Sequence, residues 1–154
     1  MIDTLEPIVV QQGFFQGMEE KHIHLITGCA RNVRFEPGSV IFREGDAANQ
    51  FYLIRKGLVA LQCAIPHRGL TTIQTLGPDE MLGWSWLLAP HRWNFDARAQ
   101  QFTLALEFDG ACLRAKCDED HDLGYELYKR FTRVVTGHLA ATRLQLLDMY
   151  GQRD

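Results

Sequence analysis

The sequence lacks several features that would assign a function directly. No stretch of its 154 residues approaches the ~20 consecutive apolar residues of a membrane span. Residues 1–12 carry acidic side chains where a secretory signal has positive charge, so we expect no signal peptide. The formal net charge is −3, which gives no indication of a nucleic-acid binder. These absences predict a cytoplasmic protein without a membrane partner.

The motifs of common enzymes are also missing. The sequence contains no nucleophile elbow, no P-loop and no dinucleotide-binding fingerprint. His22 and His24 form an H-x-H pair, but residues two apart on a helix do not share a face, and a metal site needs three or four convergent ligands. We therefore expect neither an enzyme nor a metal site.

Cysteines are few and show no metal-binding spacing. The chain has four of them: Cys29, Cys63, Cys112 and Cys117. None of them forms a C-x-x-C pair. In a cytoplasmic chain this pattern predicts four reduced thiols in or near the core.

Both ends of the chain show helical periodicity. Over residues 4–28 apolar side chains recur at three- and four-residue spacing, and Gly13 and Gly17 indicate two short helices. A longer apolar stripe runs from Leu123 to Met149 without a strong helix breaker. A terminal amphipathic helix of this kind often pairs with its twin, which predicts a homodimer through the C-terminal helix. The alternative is that the helix only packs back on its own chain.

The middle of the chain consists of short β-rich segments. Turn signals separate them roughly every ten residues, a spacing typical of a sandwich or barrel. Within residues 95–108 apolar and small or polar side chains alternate from Phe102 to Phe108, which is the period of a β-strand. The order of elements is therefore helices, about eight strands, and a long helix.

Three pieces of this β-rich region resemble the Crp/Fnr-like cyclic-nucleotide-binding domain family. The first is a series of turn glycines and aromatic strands that reads FEPG at 35–38, IFREGD at 41–46, FYLI at 51–54 and GLV at 57–59. The second, LGPDEMLG at 76–83, looks like the start of the family's phosphate-binding cassette. The third, ARA at 97–99, is similar to the strand that leaves the cassette.

The resemblance implies a fold that is mostly β with flanking helices. We expect a double-stranded β-helix, or jelly roll, over residues 32–109, with N-terminal helices over 1–31. A C-terminal helical segment, residues 110–154, follows and contains the long helix. Residues 1–154 are expected to form a single domain, and the segment between Asp109 and Asp122 is the expected hinge.

The cassette departs from the family pattern at two positions. In the family a glutamate after the cassette glycine binds the ribose hydroxyl, and an arginine holds the cyclic phosphate. The resemblance places the first on Trp84, directly after Gly83, and the second on Trp93, with Arg92 one residue away. All three tryptophans of the chain lie within residues 84–93.

Three interpretations of the cassette are open. In the first, the tryptophans fill the pocket and nothing binds. In the second, a different small ligand that bears an anion binds, with Trp84 or Trp93 against its ring and His91 or Arg92 at its charge. In the third, Arg92 replaces the lost arginine and a cyclic nucleotide binds. The candidate ligand-binding residues are Gly83, Trp84, Ser85, Trp86, Arg92, Trp93 and Asn94.

The resemblance thus implies a sensory or regulatory protein that signals through its C-terminal helix. A structural or partner-binding module with a tryptophan-filled pocket is the alternative. Transcription factors of the family carry a helix-turn-helix domain after the long helix, and this sequence ends at Asp154. We therefore expect no direct DNA binding.

Overall fold

A computed structural model describes residues 5–87 and 89–151 of the chain. Within these residues eight strands form: β1 Ala30–Phe35, β2 Val40–Phe42, β3 Gln50–Lys56, β4 Val59–Ile65, β5 Gly69–Leu76, β6 Met81–Leu82, β7 Asp96–Ala99 and β8 Thr103–Asp109. The α-helices are α1 Glu6–Val10, α2 Glu20–Thr27, α3 Gly110–Glu119 and α4 His121–Gly151, and a short 3-10 helix spans Gly13–Phe15. The expected helix start at Thr4, the cassette residue Leu88 and both ends of the chain lie outside the described residues.

The strands form two four-stranded antiparallel sheets, in the orders β1-β8-β3-β6 and β2-β7-β4-β5. Strands far apart in sequence are neighbours, as in the pairing of β1 with β8 that sets Ala30 opposite Phe108. The jelly-roll architecture with helices at both ends is confirmed. None of the described helices combines the length and the apolar character that crossing a bilayer requires.

The two faces of β3 divide the hydrophobic core into two clusters. Because successive side chains of a strand point to opposite faces, Phe51 and Leu53 pack with the helices, whereas Tyr52 and Ile54 pack between the two sheets. We call the first group the helical cluster and the second the roll interior. The residues of α4 that are fully buried lie in its first half, and Phe131 is the last of them.

The C-terminal segment contains two helices that meet at Asp120. Asp120 ends α3, and its carboxylate Oδ1 accepts a hydrogen bond from the backbone N–H of Leu123 in the first turn of α4, at 3.2 Å. The acidic run at residues 118–122 therefore spans the junction of the two helices. The earlier helix, α3, packs on α4 and inserts Leu113 into the helical cluster.

The prediction of four reduced thiols is wrong for two of the cysteines. Cys29 and Cys112 form a disulfide bond across 83 residues of sequence. The sequence spacing gave no sign of this pair, because strand pairing brings it together: β1 begins opposite the end of β8, and Asp109 donates its backbone N–H to the carbonyl of Cys29 at 2.9 Å. Cys63 and Cys117 are free thiols, as predicted.

Candidate functional site in the cassette between β6 and β7

The cassette, residues 83–95, connects β6 to β7 and contains the predicted site. Trp93, where the resemblance places the phosphate-binding arginine, lies in the roll interior and is 2% exposed. Its ring stacks on Phe42 with centroids 3.7 Å apart and planes 8° from parallel. An indole is uncharged and offers one N–H donor, so this position presents no cation to a phosphate.

Gly83 leaves the space that this indole occupies. Its φ is +94°, in the left-handed region that favours glycine. A Cβ added at Gly83 would lie 2.6 Å from Cζ3 of Trp93, closer than real Cβ contacts. The cassette glycine is therefore covered directly by the tryptophan ring.

Arg92 lies on the other side of the chain from Trp93. The two residues run beside the turn at Gly45, whose N–H donates to the carbonyl of Trp93 at 2.9 Å, and Arg92 forms a β-bridge with Ala47. Successive side chains of extended backbone point in opposite directions. Trp93 thus points inward, whereas the Arg92 side chain is exposed and donates from Nη1 to the carbonyl of Gly45 at 2.8 Å.

Trp86 anchors the cassette to the helices. It is fully buried in the helical cluster, where its ring stacks on Phe51 with centroids 5.3 Å apart. Its ring also meets Phe131 of α4 edge-on at 5.2 Å, and its carbonyl accepts a hydrogen bond from Arg114 of α3. Trp86 therefore attaches the cassette to the helical cluster, and Trp93 attaches it to the roll interior.

Trp84 contacts both the helical cluster and the roll interior and remains partly exposed. Its ring lies 5.7 Å from the ring of Phe95 and 4.8 Å from the imidazole of His138 on α4. The Nδ1 of His138 is 2.8 Å from Oε1 of Gln74 on β5. Burial lowers the pKa of His138 below its ordinary value, which favours the neutral ring near neutral pH. Cassette, α4 and β5 thus meet at Trp84.

A cavity of about 460 Å³ lies between the cassette and α4. Four of the predicted site residues line it: Trp84, Ser85, Arg92 and Asn94. Gly83, Trp86 and Trp93 are not part of its lining. The structure therefore separates the predicted site into a covered inner part, at Gly83 and Trp93, and an open outer part that faces α4.

The opposite wall of this cavity was not predicted from the sequence. It is formed by five residues of α4: Tyr128, Phe131, Thr132, Val135 and Thr136. Phe131 and Val135 belong to the apolar stripe that predicted the helix, but periodicity alone does not reveal which element a stripe faces. Thr132 and Thr136, each next to an apolar residue of the stripe, were the one sequence feature that could have indicated a partly polar wall.

The potential metal-ligating side chains of the described residues are dispersed. Within residues 5–87 and 89–151 no group of three or more His, Cys, Asp or Glu side chains is placed to hold a metal ion. His22 lies in α2 beside Asp120, with 3.6 Å between Nε2 and Oδ2, while His24 pairs with Glu6 at 3.6 Å. The two histidines thus face different partners.

Comparison with known proteins places this geometry in a family. The family model described as "cyclic nucleotide-binding domain" matches residues 32–120. A CRP-like cAMP-activated global transcriptional regulator of Mycobacterium tuberculosis is 25% identical over 145 residues, which are 94% of this chain and 63% of that protein. The chain thus spans about 63% of the length of the curated relatives it matches.

Solved structures agree with this assignment. A candidate cyclic nucleotide-binding protein from Geobacter metallireducens is 27% identical, with a TM-score of 0.78 over 90% of this chain and 99% of that one. A cyclic nucleotide-binding domain from Methylobacillus flagellatus, 16% identical, shares the fold with a TM-score of 0.81 over 96% and 87% of the two chains. The chain, with its jelly roll, cassette and terminal helices, belongs to the cyclic nucleotide-binding domain family.

Proposed function

We propose that this chain is a regulatory module in which a small anionic ligand binds between the cassette and α4 and thereby sets the position of α4. The observation that carries this proposal is the cavity whose two walls belong to these two elements. A ligand there touches both walls at once. It shifts a conformational equilibrium only if it binds one arrangement of α4 better than the other. Because one wall of the cavity is α4 itself, movement of the helix would change the contacts of the ligand.

The chemistry of the lining favours an aromatic anion. Trp84, Tyr128 and Phe131 supply aromatic surface, and the serine and threonines supply hydroxyl groups. Among the described lining residues Arg92 carries a permanent positive charge, and none of them carries a carboxylate. The volume falls in the range of about 300–1,000 Å³ that is typical of small-molecule sites.

The same reasoning argues against a cyclic nucleotide in the roll interior. The phosphate of such a ligand needs a cation or converging N–H groups, and the ring of Trp93 covers Gly83 instead. Removing Trp93 from this position would break its stack on Phe42. We therefore propose that the ligand site has moved outward and that cyclic AMP and cyclic GMP are not its ligands.

Anilinonaphthalene sulfonate, an aromatic anion, is a suitable probe of this cavity. We expect saturable fluorescence enhancement for the unmodified chain, and little calorimetric heat with cyclic AMP. Arg92→Gln should weaken binding of the probe about tenfold, since one charge-assisted contact contributes ~1.5 kcal/mol. Thr136→Trp should abolish binding, because the indole fills the cavity from the α4 side.

Matched variants separate this site from other apolar surfaces. Arg143→Gln removes a cation elsewhere on α4, and Ala140→Trp adds an indole one turn further along, at an exposed position. Both should leave the affinity of the probe unchanged. Equal effects of the two tryptophan variants would contradict the proposed site. Tight binding of cyclic AMP that Arg92→Gln abolishes would contradict the exclusion of cyclic nucleotides as its ligands.

A second candidate function is a partner-binding module whose partner is a second copy of the chain. The second half of α4 exposes large apolar side chains, among them Leu139, Leu146 and Met149, which are 50–64% exposed. Their spacing approaches the heptad repeat of paired helices. A homodimer through this surface is compatible with ligand binding. If the cavity binds no ligand, dimerisation is the remaining candidate function.

Sedimentation velocity tests this dimer directly. The double substitution Leu139→Asp and Leu146→Asp should shift the protein to the monomer at micromolar concentration, because like charges then face each other across an apolar seam. Ala140→Asp introduces the same charge outside the proposed seam and should leave the dimer intact. A monomeric unmodified chain would exclude the proposed contact.

We also propose a cytoplasmic location and a regulatory rather than catalytic role. The curated relatives are transcriptional regulators by name. Absence of direct DNA binding stays a prediction from the sequence.

A further inference from the structure

The disulfide joins the N-terminal helices to the segment that leads into α4. Cys29 lies between α2 and β1, and Cys112 lies in the first turn of α3. The bond therefore attaches α2 to α3 at the point where the chain leaves the roll. Within the described residues it is the one covalent connection between these two helical elements.

We propose that Cys29 and Cys112 form a reversible redox site, which reacts with thiol reductants of the cell and thereby sets how firmly the N-terminal helices hold α3. This inference is independent of the ligand proposed above. It draws on the proposed cytoplasmic location, because a disulfide that forms in that reducing compartment is usually transient and either catalytic or redox-sensing.

The two sulfur atoms differ in their surroundings. Cys29 is 7% exposed, whereas Cys112 is partly exposed at the surface of α3. The more exposed residue, Cys112, is therefore the one that we expect a reductant to attack.

The exchange uses two thiols of the reductant. The first attacks Sγ of Cys112 as a thiolate, the Cys112–Cys29 bond breaks, and Cys29 leaves as a thiolate that takes up a proton. The second thiol then attacks the mixed disulfide, releases Cys112 and leaves the reductant as its own disulfide. Two electrons and two protons pass to the protein, and oxidation by a small disulfide reverses each step.

The remaining thiols are poor competitors in this exchange. Burial raises the pKa of Cys117, and the nearby Asp118 and Asp120 raise it further. The thiol of Cys63 also has a raised pKa, chiefly through burial. A thiol with a raised pKa holds less thiolate at neutral pH and attacks disulfides more slowly, so the Cys29–Cys112 pairing is favoured over rearrangement.

Reduction leaves non-covalent contacts between the N-terminal and C-terminal helices in place. Lys116 of α3 donates from Nζ to the carbonyl of Leu25 at 2.6 Å, and Arg130 of α4 donates from Nη1 to the carbonyl of Phe14 at 2.6 Å. We therefore expect the reduced protein to remain folded while α2 and α3 open more often. The position of α4 is affected because α3 leads directly into it.

Three measurements on the full chain test this inference. Alkylation in denaturant should label two cysteines in the oxidised protein and all four after treatment of the folded protein with dithiothreitol. Reduction should lower the Tm by about 10 °C, because it opens a loop closed over 83 residues of sequence and so increases the entropy of the unfolded chain. Hydrogen exchange should become faster in α2 and α3 but not in the pair of β4 and β5.

Substitutions assign the effect to the bond. Cys29→Ser should have the Tm of the reduced unmodified protein, and dithiothreitol should not change it. The reduced unmodified protein is the control for effects of the substitution itself. The double substitution Cys63→Ser and Cys117→Ser should keep the full response. A peptide map that lacks the Cys29–Cys112 linkage would overturn the inference, and so would a bond that dithiothreitol cleaves only after the protein unfolds.

Discussion

Replacing Trp93 by alanine is expected to lower the free energy of unfolding by about 3–5 kcal/mol. The indole is 2% exposed, stacks on Phe42 and covers Gly83, so its removal leaves a cavity in the roll interior that a rigid roll cannot close. Urea unfolding monitored by far-UV circular dichroism measures the loss. Trp84→Ala is the matched control, because Trp84 is partly exposed and its replacement should lower the free energy of unfolding clearly less.

The contact between Trp93 and Gly83 can be isolated with a double-mutant cycle. Gly83→Ala places a Cβ 2.6 Å from the indole at a φ of +94°, whereas Gly38→Ala has a φ of +85° with nothing within 4 Å of the added Cβ. Gly38→Ala therefore measures backbone strain alone, about 1–2 kcal/mol. In the Trp93→Ala background, Gly83→Ala should lower the free energy of unfolding by no more than Gly38→Ala does in the unmodified protein. Strict additivity of the two substitutions would show that the ring does not lie on Gly83.

Phe131→Ala is expected to destabilise the protein by a similar amount, about 3–5 kcal/mol. Phe131 is 1% exposed, and its ring centroid lies 5.0 Å from those of Phe14 and Phe51 and 5.2 Å from that of Trp86. It is thus the point at which α4 joins the N-terminal helices, β3 and the cassette. Its loss should also make amides of α4 exchange faster than those of the strands.

Tyr125→Ala is the control on the same helix. Tyr125 is 67% exposed, and a substitution at such a position usually changes stability by less than ~0.5 kcal/mol, or by up to ~1 kcal/mol where a cation–π contact such as that with Lys129 is lost. Similar losses for both variants would mean that α4 is held by distributed contacts rather than by Phe131.

Much of the fold could be predicted because local patterns and global packing agree. The alternation from Phe102 to Phe108 became β8, and the apolar stripe from Leu123 onwards became α4. The two-residue strand β6 is too short to show a period. Helix α3 has a weak apolar pattern, since the helical cluster takes only Leu113 from it as a fully buried side chain. Contacts with distant residues hold it in place, namely packing on α4, the disulfide to Cys29 and the hydrogen bond from Lys116 to Leu25.

For the candidate site, the sequence indicated which residues form the cassette but not which way their side chains point. The resemblance located the departure from the family at Trp84 and Trp93, and it left open whether Arg92 could take the missing role. That question depends on which way a side chain faces, and a shift of one residue reverses it in extended backbone. The pairing of Arg92 with Ala47 sets the direction of the Arg92 side chain, and it is a contact across 45 residues that no local pattern contains.

Helix α4 also protects an open sheet edge. Strand β5 lies at the end of its sheet, and its ladder with β4 shifts register between Gln74 and Thr72, which leaves Ile73 without a cross-strand partner. Gln145 of α4 donates from Nε2 to the carbonyl of Ile73 at 3.1 Å. An uncovered edge strand is a template on which another chain can add as a β-strand. Displacement of α4 from β5 would therefore expose more of this edge, and we expect the protein to aggregate more readily in any state in which the helix is displaced.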